Sequence, residues 1–313
     1  MTELQPKRAI LIAGPTASGK SSLALDLAQR LGDAGRPAAI VNADSMQIYR
    51  ETPILAACPT AEEKKRAPHH LYECRSVSQP CSAGQYVDLA APLIRDLWGQ
   101  GVTPIVVGGT GLYFRALSEG LSAIPAIPRT RVVAAEAIAA AEGIEALHAQ
   151  LDPAMQAQLH ATDSQRVVRA WAVLQETGRS LAAWQADQPI IPLPEAHFDK
   201  FALMPDREWL YERCDRRFDM MITAGGLEEA EALYKTDYPR TLPGMKALGL
   251  PELFSYFAGE MALDVAATNA KTATRRYAKR QMTWIKNQMM SWNVLSAQQM
   301  KRSCDILITK IAV

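Results

Sequence analysis

The chain has few residues that point to a disulfide-linked or zinc-binding protein. Its five cysteines are an odd number without a CxxC pair, which disfavours a disulfide framework or a zinc site and predicts reduced thiols in the cytoplasm. His69 and His70 follow a proline and have no partnering cysteine nearby. We expect this histidine pair to begin a helix or to pack against neighbours, and not to bind a metal ion.

Long apolar runs are also missing. No stretch of the sequence approaches the roughly 20 apolar residues that span a bilayer. The first residues do not resemble a signal peptide, because the apolar run 9–13 is short and leads directly into a glycine turn. We therefore expect a cytoplasmic protein that has no membrane partner.

The net charge is only +1, but it is unevenly distributed. Residues 271–313 carry nine Lys or Arg and one acidic residue, a net charge of +8, whereas the rest of the chain has a net charge of −7. This asymmetry favours a tail that meets a polyanion, although a solvated helix face has the same composition. The aromatic residues Tyr277 and Trp284 lie among these bases and would either stack on unpaired bases or pack in the core.

Short apolar runs alternate with helical periodicity in the first part of the chain. The runs 9–13, 38–41 and 103–107 have the character of buried strands, and 21–31 has that of a helix. This alternation predicts an α/β fold, in which helices flank a parallel sheet. A length of 313 residues indicates two domains, or one core with an insertion.

The composition changes after Gly120, where a proline-rich stretch leads into a segment of alanine, leucine, glutamine and charged residues without a strand signal. We predict an all-helical insertion domain at 121–195, which divides the core into a first part at 1–120 and a second part at 196–313. Within the second part, the predicted elements are a strand at 198–204 and long helices at 207–233 and 268–292.

A phosphate-binding loop is predicted at residues 14–21, GPTASGKS, which fit the pattern GxxxxGK[ST] between a strand and a helix. In such a loop backbone N–H groups and the helix N-terminus converge on an anion. Lys20 adds a full positive charge, and the Ser21 hydroxyl can hold Mg²⁺. The candidate diphosphate-binding residues of the loop are Gly14, Pro15, Thr16, Ala17, Ser18, Gly19, Lys20 and Ser21.

The loop alone does not distinguish a diphosphate from a triphosphate. In ATPases and GTPases an acidic residue at the end of a later strand supports the magnesium ion, but the run 103–107 ends in Gly108-Gly109-Thr110-Gly111. Asp44 follows the second strand at the same predicted sheet edge as the loop, where ligands bind in open α/β sheets. It would either accept a proton from a nucleophile or cap a helix that begins at Ser45.

Two arginines in the predicted helix 207–233 are placed to act together. Arg213 and Arg217 are four residues apart and would share one helix face. The spacing alone does not assign them a role, and surface ion pairs with neighbours such as Glu212 or Asp215 would account for it.

The phosphate loop is common to many families, whereas its combination with five other segments is specific. The six segments are GPTASGKS (14–21), ADSMQIY (43–49), PHHL (68–71), GGTGLYFRALSEGL (108–121), QRVVR (165–169) and ATRRYAKRQMTWIKN (273–287). Together they resemble the tRNA dimethylallyltransferase family, and they occur in the family's order between about residue 9 and about residue 290.

The resemblance implies a sheet like that of P-loop NTPases and a specific reaction. The protein would transfer a dimethylallyl group from dimethylallyl diphosphate to the exocyclic amine of the adenosine on the 3′ side of the anticodon, in tRNAs that read codons beginning with U. Asp44 would receive the amine proton, and Thr110 would donate to the bridging oxygen. Lys20 and Mg²⁺ on Ser21 would neutralise the leaving diphosphate, with Arg213 or Arg217 contributing. The acceptor base would have to flip out of its stack.

The resemblance also implies contacts with the anticodon stem-loop of tRNA, made by a protein that we expect to be a monomer. The residues implied are Asp44, Ser45, Met46, Gln47, Thr110, Arg131, Gln165, Arg166, Val167, Val168, Arg169, Lys246, Arg275, Arg276, Lys279 and Arg280. Two segments depart from the family's pattern. Residues 56–59 lack the glycine and lysine of GT-x-KP, and residues 246–252 lack the tyrosine and basic residue of GY-[KR]-E.

Two other functions fit the phosphate loop. A small-molecule or nucleoside kinase would use the same loop on a similar sheet. A P-loop protein that binds RNA without catalysis would use the basic tail as its main feature.

Overall fold

The computed structural model describes residues 7–311, in which a single six-stranded parallel sheet forms the centre of the fold. The order across the sheet is β3-β2-β4-β1-β5-β6. The four longer strands confirm the strands predicted from the sequence, whereas the short edge strands β3 and β6 were not predicted. In chain order the strands are β1 (Arg8–Ala13), β2 (Ala38–Asn42), β3 (His69–His70), β4 (Thr103–Gly108), β5 (His197–Met204) and β6 (Asn293–Ser296).

Helices cover both faces of the sheet, as the α/β prediction requires. Those of the sheet-containing part are α1 (Lys20–Asp33), α2 (Ala61–Arg66), α3 (Ala83–Gly99), α4 (Gly111–Ser118), α10 (Arg207–Met221), α11 (Leu227–Tyr234), α12 (Leu250–Phe257), α13 (Leu263–Gln288) and α14 (Met300–Ile311). Among residues 7–311, no helix is both long and apolar enough to cross a membrane.

The central strand β1 shows why the sequences of the buried strands are continuous apolar runs. Ile10 and Ile12 are fully buried against α1 and α14 on one face of the sheet, whereas Leu11 packs on the other face against residues of α3 and α4. Because successive side chains of a strand point to opposite faces, a sheet covered on both sides needs an apolar residue at every position.

Both predicted long helices differ from those observed. The helix predicted at 207–233 is divided into α10 and α11 by a π-helical turn, Ile222–Gly226, in which Gly225 has a φ of 105°. The helix predicted at 268–292 is α13, which begins earlier and ends earlier. Trp292 therefore lies beyond the helix, where its ring packs edge-on against Phe114.

Residues 119–191 form a separate compact unit, and the described residues on either side of it, 7–118 and 192–311, form the other. The smaller unit is helical, with its own core around Leu147, Val167 and Trp171. A bridge between Leu121 and Ile190 joins the two ends of this unit. Its helices are α5 (Arg129–Glu142), α6 (Ile144–Ala149), α7 (Pro153–Gln158), α8 (Ser164–Thr177) and α9 (Leu181–Ala186).

Candidate active site

The phosphate loop connects β1 to α1 at the carboxyl edge of the sheet. Ala17 and Gly19 have left-handed backbones, with φ values of 62° and 91°, which fold the chain tightly between the strand and the helix. The N–H groups in the first turn of α1 have no partners within the helix and are available to an anion. The Ser18 hydroxyl is fully buried and has no hydrogen-bond partner among the described residues.

Lys20 is buried at the start of α1, where only 7% of the residue is exposed. Burial lowers the pKa of its ammonium group to about 8; the negative charge of Asp44 opposes this shift, and the positive charge of Arg217 adds to it. The lysine therefore lies within electrostatic reach of both residues, and its charge is poorly compensated until an anion arrives.

Arg213 and Arg217 both reach the phosphate loop from α10. The Arg213 Nε donates to the carbonyl of Ala17 at 2.8 Å, and its guanidinium lies 4.6 Å from the centre of the Trp209 ring. The Arg217 guanidinium donates to the hydroxyl of Thr16, and burial lowers its pKa. Together with Lys20, these arginines surround the loop with positive charge, which favours an anionic ligand.

Asp44 is held in a turn just beyond β2. Its backbone N–H donates to the Asn42 side chain at 2.8 Å, and its own Oδ1 accepts from the N–H of Met46 at 3.0 Å. Residues 45–48 form a turn and not a helix, so the alternative that Asp44 caps a helix at Ser45 is wrong. The carboxylate instead closes a local Asx turn, and its Oδ2 faces Gly109.

Thr110 joins the loop after β4 to the Asp44 turn. Its Oγ1 accepts from the backbone N–H of Ser45 at 2.9 Å and donates to the Ser45 hydroxyl at 3.1 Å, while its own N–H donates to the carbonyl of Ala43 at 3.2 Å. The structure thus brings Thr110, Asp44 and the phosphate loop together at one edge of the sheet, where the sequence analysis placed Asp44 from its strand end and Thr110 from the family resemblance.

The glycines of the 108–111 segment permit close packing. A Cβ on Gly108 would lie 2.1 Å from the Ala43 carbonyl, and one on Gly111 would lie 2.1 Å from the Trp284 ring. A Cβ on Gly109 would lie 2.3 Å from Nε2 of Gln281. A larger residue at one of these positions would displace the Ala43 backbone, the Gln281 amide or the Trp284 ring.

Gln281 of α13 is a site residue that the sequence analysis missed. Its Oε1 accepts from the N–H of Thr16 at 2.8 Å, and its Nε2 donates to the carbonyl of Gly109 at 2.9 Å. Only 6% of the residue is exposed. The one available signal was its position in the family-like segment 273–287, because a glutamine in a basic helix otherwise indicates an exposed surface.

Three of the residues expected to contact tRNA have other contacts in the structure. Gln47 is buried, and its Nε2 donates to the carbonyls of Ala56 and Ala57 at 3.1 and 2.6 Å. Its side chain therefore holds segment 56–59, one of the two segments that differ from the family's pattern. Val167 is fully buried in the core of the helical unit. Arg275 forms an ion pair with Asp215. The side chains of Gln47 and Val167 are therefore engaged within the protein itself, and RNA contact at these two positions stays a prediction.

The other three basic residues of α13 that were expected to contact tRNA lie on its exposed side. Arg276, Lys279 and Arg280 are exposed, and together with Thr283, Trp284, Asn287 and Gln288 they line a surface depression of about 470 Å³. Trp284 is half-buried, consistent with its contact with Gly111, and Tyr277 is half-buried with the Arg280 guanidinium 5.5 Å from its ring centre. The depression therefore combines positive charge with an aromatic edge.

Other expected RNA contacts are distributed over both units. Lys246 is exposed in a 3₁₀ turn, Pro243–Lys246, and Met46 is half-buried against an apolar cluster. In the helical unit Arg131 pairs with Glu176 at 2.8 Å, and Arg166 pairs with Asp163 at 3.4 Å. Gln165 and Arg169 are exposed on α8, and Val168 is half-buried there.

The histidine pair lies at the edge of the sheet. His69 and His70 form the short strand β3, and the ring of His69 packs edge-on against Tyr72, which confirms packing and shows that a helix start was wrong. Within residues 7–311 no group of three or more His, Cys, Asp or Glu side chains could hold a metal ion.

Comparisons with known proteins agree with this geometry. The model of the IPP transferase family matches residues 47–288. Curated tRNA dimethylallyltransferases are similar over most of their length: that of Parvibaculum lavamentivorans is 52% identical, covering 93% of this chain and 91% of the relative, and that of Bradyrhizobium sp. (strain ORS 278) is 43% identical, covering 96% and 97%.

Solved structures show the same relationship. The tRNA isopentenylpyrophosphate transferase from Bacillus halodurans has a TM-score of 0.69 and 32% identity, covering 98% of this chain and 97% of its own. A eukaryotic dimethylallyltransferase acting on tRNA has a TM-score of 0.76 and 26% identity, covering 93% and 74%. The chain belongs to the IPP transferase family.

Proposed function

We propose that the protein is a tRNA dimethylallyltransferase. It transfers the dimethylallyl group of dimethylallyl diphosphate to the exocyclic amine of the adenosine on the 3′ side of the anticodon, in tRNAs that read codons beginning with U, and it works as a cytoplasmic monomer. The observation that carries this proposal is the position of Asp44 and Thr110 beside a phosphate loop surrounded by Lys20, Arg213 and Arg217.

The reaction requires charge stabilisation on the leaving group. The amine nitrogen forms a bond to the first carbon of the prenyl chain while the bond from that carbon to the bridging oxygen breaks, so negative charge grows on the departing diphosphate. Preorganised cations and N–H groups are most effective where charge develops in the transition state. Lys20, Arg213 and Arg217 are held around the loop by burial and by hydrogen bonds, and they stabilise that charge.

The nucleophile must also lose a proton. An aromatic amine is a weak nucleophile because its lone pair is delocalised into the ring, so removal of its proton as the bond forms favours the reaction. Asp44 accepts this proton, since its Oδ1 is fixed by the Met46 N–H and its Oδ2 faces the loop that carries Thr110. Thr110 exchanges its hydrogen bond to the Ser45 hydroxyl for one to the bridging oxygen.

Mg²⁺ fits this site as a companion of the diphosphate. Proteins usually bind Mg²⁺ through one or two side chains together with phosphate oxygens and water, not through a cage of protein ligands. The Ser21 hydroxyl is exposed in the first turn of α1, and the described residues offer no such cage. Ser21 would hold the ion, which supplies further neutralisation of the diphosphate charge.

The RNA surface includes the exposed bases of α13 and residues of the helical unit. Arg276, Lys279 and Arg280 bind phosphates, with Trp284 offering an edge to an unpaired base. In the helical unit and beyond it the proposed contacts are Arg131, Gln165, Arg166, Val168, Arg169 and Lys246. The acceptor adenosine flips out of its stack to reach Asp44.

A kinase is less well supported. Strand β4 ends at Gly108 and leads into the glycine-rich turn, so the carboxylate that supports magnesium in many NTPases is missing from that strand end. The relatives named above are transferases that act on tRNA according to their names.

One assay tests the proposal. The protein is incubated with dimethylallyl diphosphate, Mg²⁺ and unmodified tRNA, and the mass of the tRNA is followed, with Lys20→Met as the inactive control. Gain of one dimethylallyl unit at the expected adenosine supports the proposal. If ATP is consumed with a small-molecule acceptor while the tRNA stays unchanged, the protein is a kinase and the proposal is wrong. If the protein binds RNA without modifying it, it is an RNA-binding protein without catalysis.

A further inference from the structure

Gln281 connects two loops that approach the site from different strands. Its carbonyl oxygen accepts from Thr16 in the loop after β1, and its amide nitrogen donates to Gly109 in the loop after β4. With 6% of the residue exposed, both bonds are shielded from water, and reversing the amide would break both of them. The side chain therefore fixes the separation of the two loops.

Each of the two connected groups is also attached to the proposed machinery. The hydroxyl of Thr16 accepts from Arg217, and Gly109 leads directly into Thr110, whose hydroxyl bonds to Ser45. A displacement of the Gln281 amide would thus move the Arg217 contact and the Thr110 hydroxyl relative to one another. Gly109 permits the close approach, because a Cβ there would lie 2.3 Å from the amide nitrogen.

We propose that Gln281 is a positioning residue for the prenyl donor: by holding the phosphate loop and the Gly109–Thr110 turn at a fixed separation, it places the leaving diphosphate against the Thr110 hydroxyl. This inference rests on the proposed function. Gln281 acts through Thr16 and Gly109 and does not touch the reacting atoms.

The first test compares Gln281→Met with Thr274→Val. Thr274 is on the same helix, is 3% exposed, and donates its hydroxyl to the carbonyl of Ala270 at 2.8 Å, so its variant measures the cost of a lost hydrogen bond on the buried face of α13. Because two neutral hydrogen bonds are lost, Gln281→Met should raise the KM for dimethylallyl diphosphate about tenfold and lower kcat by a similar factor. Thr274→Val should leave both constants near those of the wild-type protein.

Two further measurements separate positioning from general damage. The affinity for inorganic pyrophosphate should fall about tenfold in Gln281→Met, following the KM of the donor, whereas the Kd for tRNA should stay within about twofold of the wild-type value. The thermal midpoint should fall further in Gln281→Met than in Thr274→Val, because two hydrogen bonds are lost instead of one, so the kinetic constants and the two affinities, not stability, distinguish positioning from core packing. If Gln281→Met has the kinetic constants and pyrophosphate affinity of Thr274→Val, Gln281 is only part of the core and the inference is wrong.

A conservative variant provides a pH-dependent rescue. The protonated side chain of Gln281→Glu has a carbonyl oxygen to accept from Thr16 and an O–H to donate to Gly109, whereas the ionised form cannot donate and adds a negative charge. Its pyrophosphate affinity relative to wild type should therefore rise as the pH is lowered from about 8 to about 5. A ratio independent of pH would contradict the bridging role.

Failure of the proposed function would be recognised separately. If the wild-type protein binds pyrophosphate but does not prenylate tRNA, the reaction has been assigned wrongly, and the pyrophosphate affinities of the variants still report on whether Gln281 sets the anion site. If the wild-type protein prenylates tRNA but the Gln281 variants keep its kinetic constants and pyrophosphate affinity, the inference about Gln281 is wrong and the proposed function stands.

Discussion

Arg275 of α13 and Asp215 of α10 form an ion pair, with the guanidinium Nη1 2.6 Å from the carboxylate Oδ2. Both side chains are only about a third exposed, and the second guanidinium nitrogen donates to Thr272. Arg275 therefore links α13 to α10 through this ion pair, although it is one of the basic residues of α13 that we expected to contact tRNA. The adjacent Arg276 is exposed and lines the surface depression on α13.

This difference predicts that neighbouring arginines contribute unequally to RNA binding. The double variant Arg276→Gln/Arg280→Gln should weaken tRNA binding roughly tenfold near 0.1 M salt and reduce the slope of log K against log salt by about 1 to 2, because each lost phosphate contact accounts for about 0.7 to 0.9. The measurement is a salt titration of the Kd for tRNA.

Arg275→Gln is the matched control. It should lower the thermal stability of the protein, since it leaves Asp215 unpaired, but it should leave the salt slope unchanged. An equal loss of slope in Arg275→Gln, or an unchanged slope in the double variant, would show that this face of α13 does not meet the RNA as we propose.

Asp44 can be tested with two substitutions that differ in one hydrogen bond. Asn at position 44 keeps an oxygen to accept from the Met46 N–H, whereas Ala does not. If Asp44 acts as the base, both variants should lower kcat by a factor on the order of 10² to 10⁴ while the Kd for tRNA stays near the wild-type value. Single-turnover prenylation measures the rate, and nearly wild-type turnover by Asp44→Asn would make the residue structural.

The features that were predicted correctly have signals within a short stretch of sequence. An apolar run followed by a glycine turn and a helical period defines β1, the phosphate loop and α1 without reference to the rest of the chain. Asp44 was placed correctly at the edge of the sheet for the same reason, because it follows a strand end. The edge strands were missed since β3 has only two residues and β6 is mostly exposed.

The features that were missed depend on contacts between distant parts of the chain. Gln281 and Thr16 are separated by 265 positions, and Arg275 and Asp215 by 60. Whether a polar residue of α13 faces solvent or the phosphate loop is decided by how that helix packs against α10, which its composition does not reveal. The burial of Gln47 was missed in the same way, because its partners are backbone carbonyls, which have no side-chain signature in the sequence.

Gly108 should be intolerant of even one added methyl group. A Cβ there would lie 2.1 Å from both the carbonyl carbon and oxygen of Ala43, and backbone cannot move aside as a flexible side chain can. Gly108→Ala should lower the free energy of unfolding by about 1 to 3 kcal/mol, as overpacked sites do. Urea denaturation, with the midpoint and slope both fitted, measures the change.

A glycine in open surroundings provides the comparison. Gly32 lies within α1, and apart from its chain neighbours and the helix's own backbone a Cβ there would meet no heavy atom within 4 Å. Gly32→Ala should raise the free energy of unfolding by about 0.5 to 1 kcal/mol, because alanine restricts the unfolded chain and favours the helix. If both variants shifted stability in the same direction, the crowding at Ala43 would not be the reason for the glycine at position 108.

The pKa of Lys20, about 8, predicts how donor binding depends on pH. Above this pH the lysine of the free protein is neutral, whereas a bound diphosphate favours its charged form, so binding must take up a proton. The Kd for dimethylallyl diphosphate should therefore rise with pH above about 8, by up to about tenfold per unit. The donor's terminal phosphate contributes little there, since phosphate esters lose their last proton near about pH 6.

Charge variants should move this transition in opposite directions. Arg217→Gln removes a positive neighbour, which raises the pKa of Lys20 and moves the transition to higher pH, while Asp44→Asn removes a negative neighbour and moves it to lower pH. Lys20→Met should bind weakly, with no transition between about pH 7 and 10. Direct titration of donor binding in buffers of different ionisation enthalpy reports the proton uptake. A transition that persists in Lys20→Met would belong to another group. Shifts of the same sign in Arg217→Gln and Asp44→Asn would contradict the opposite effects of these two charges on the pKa of Lys20.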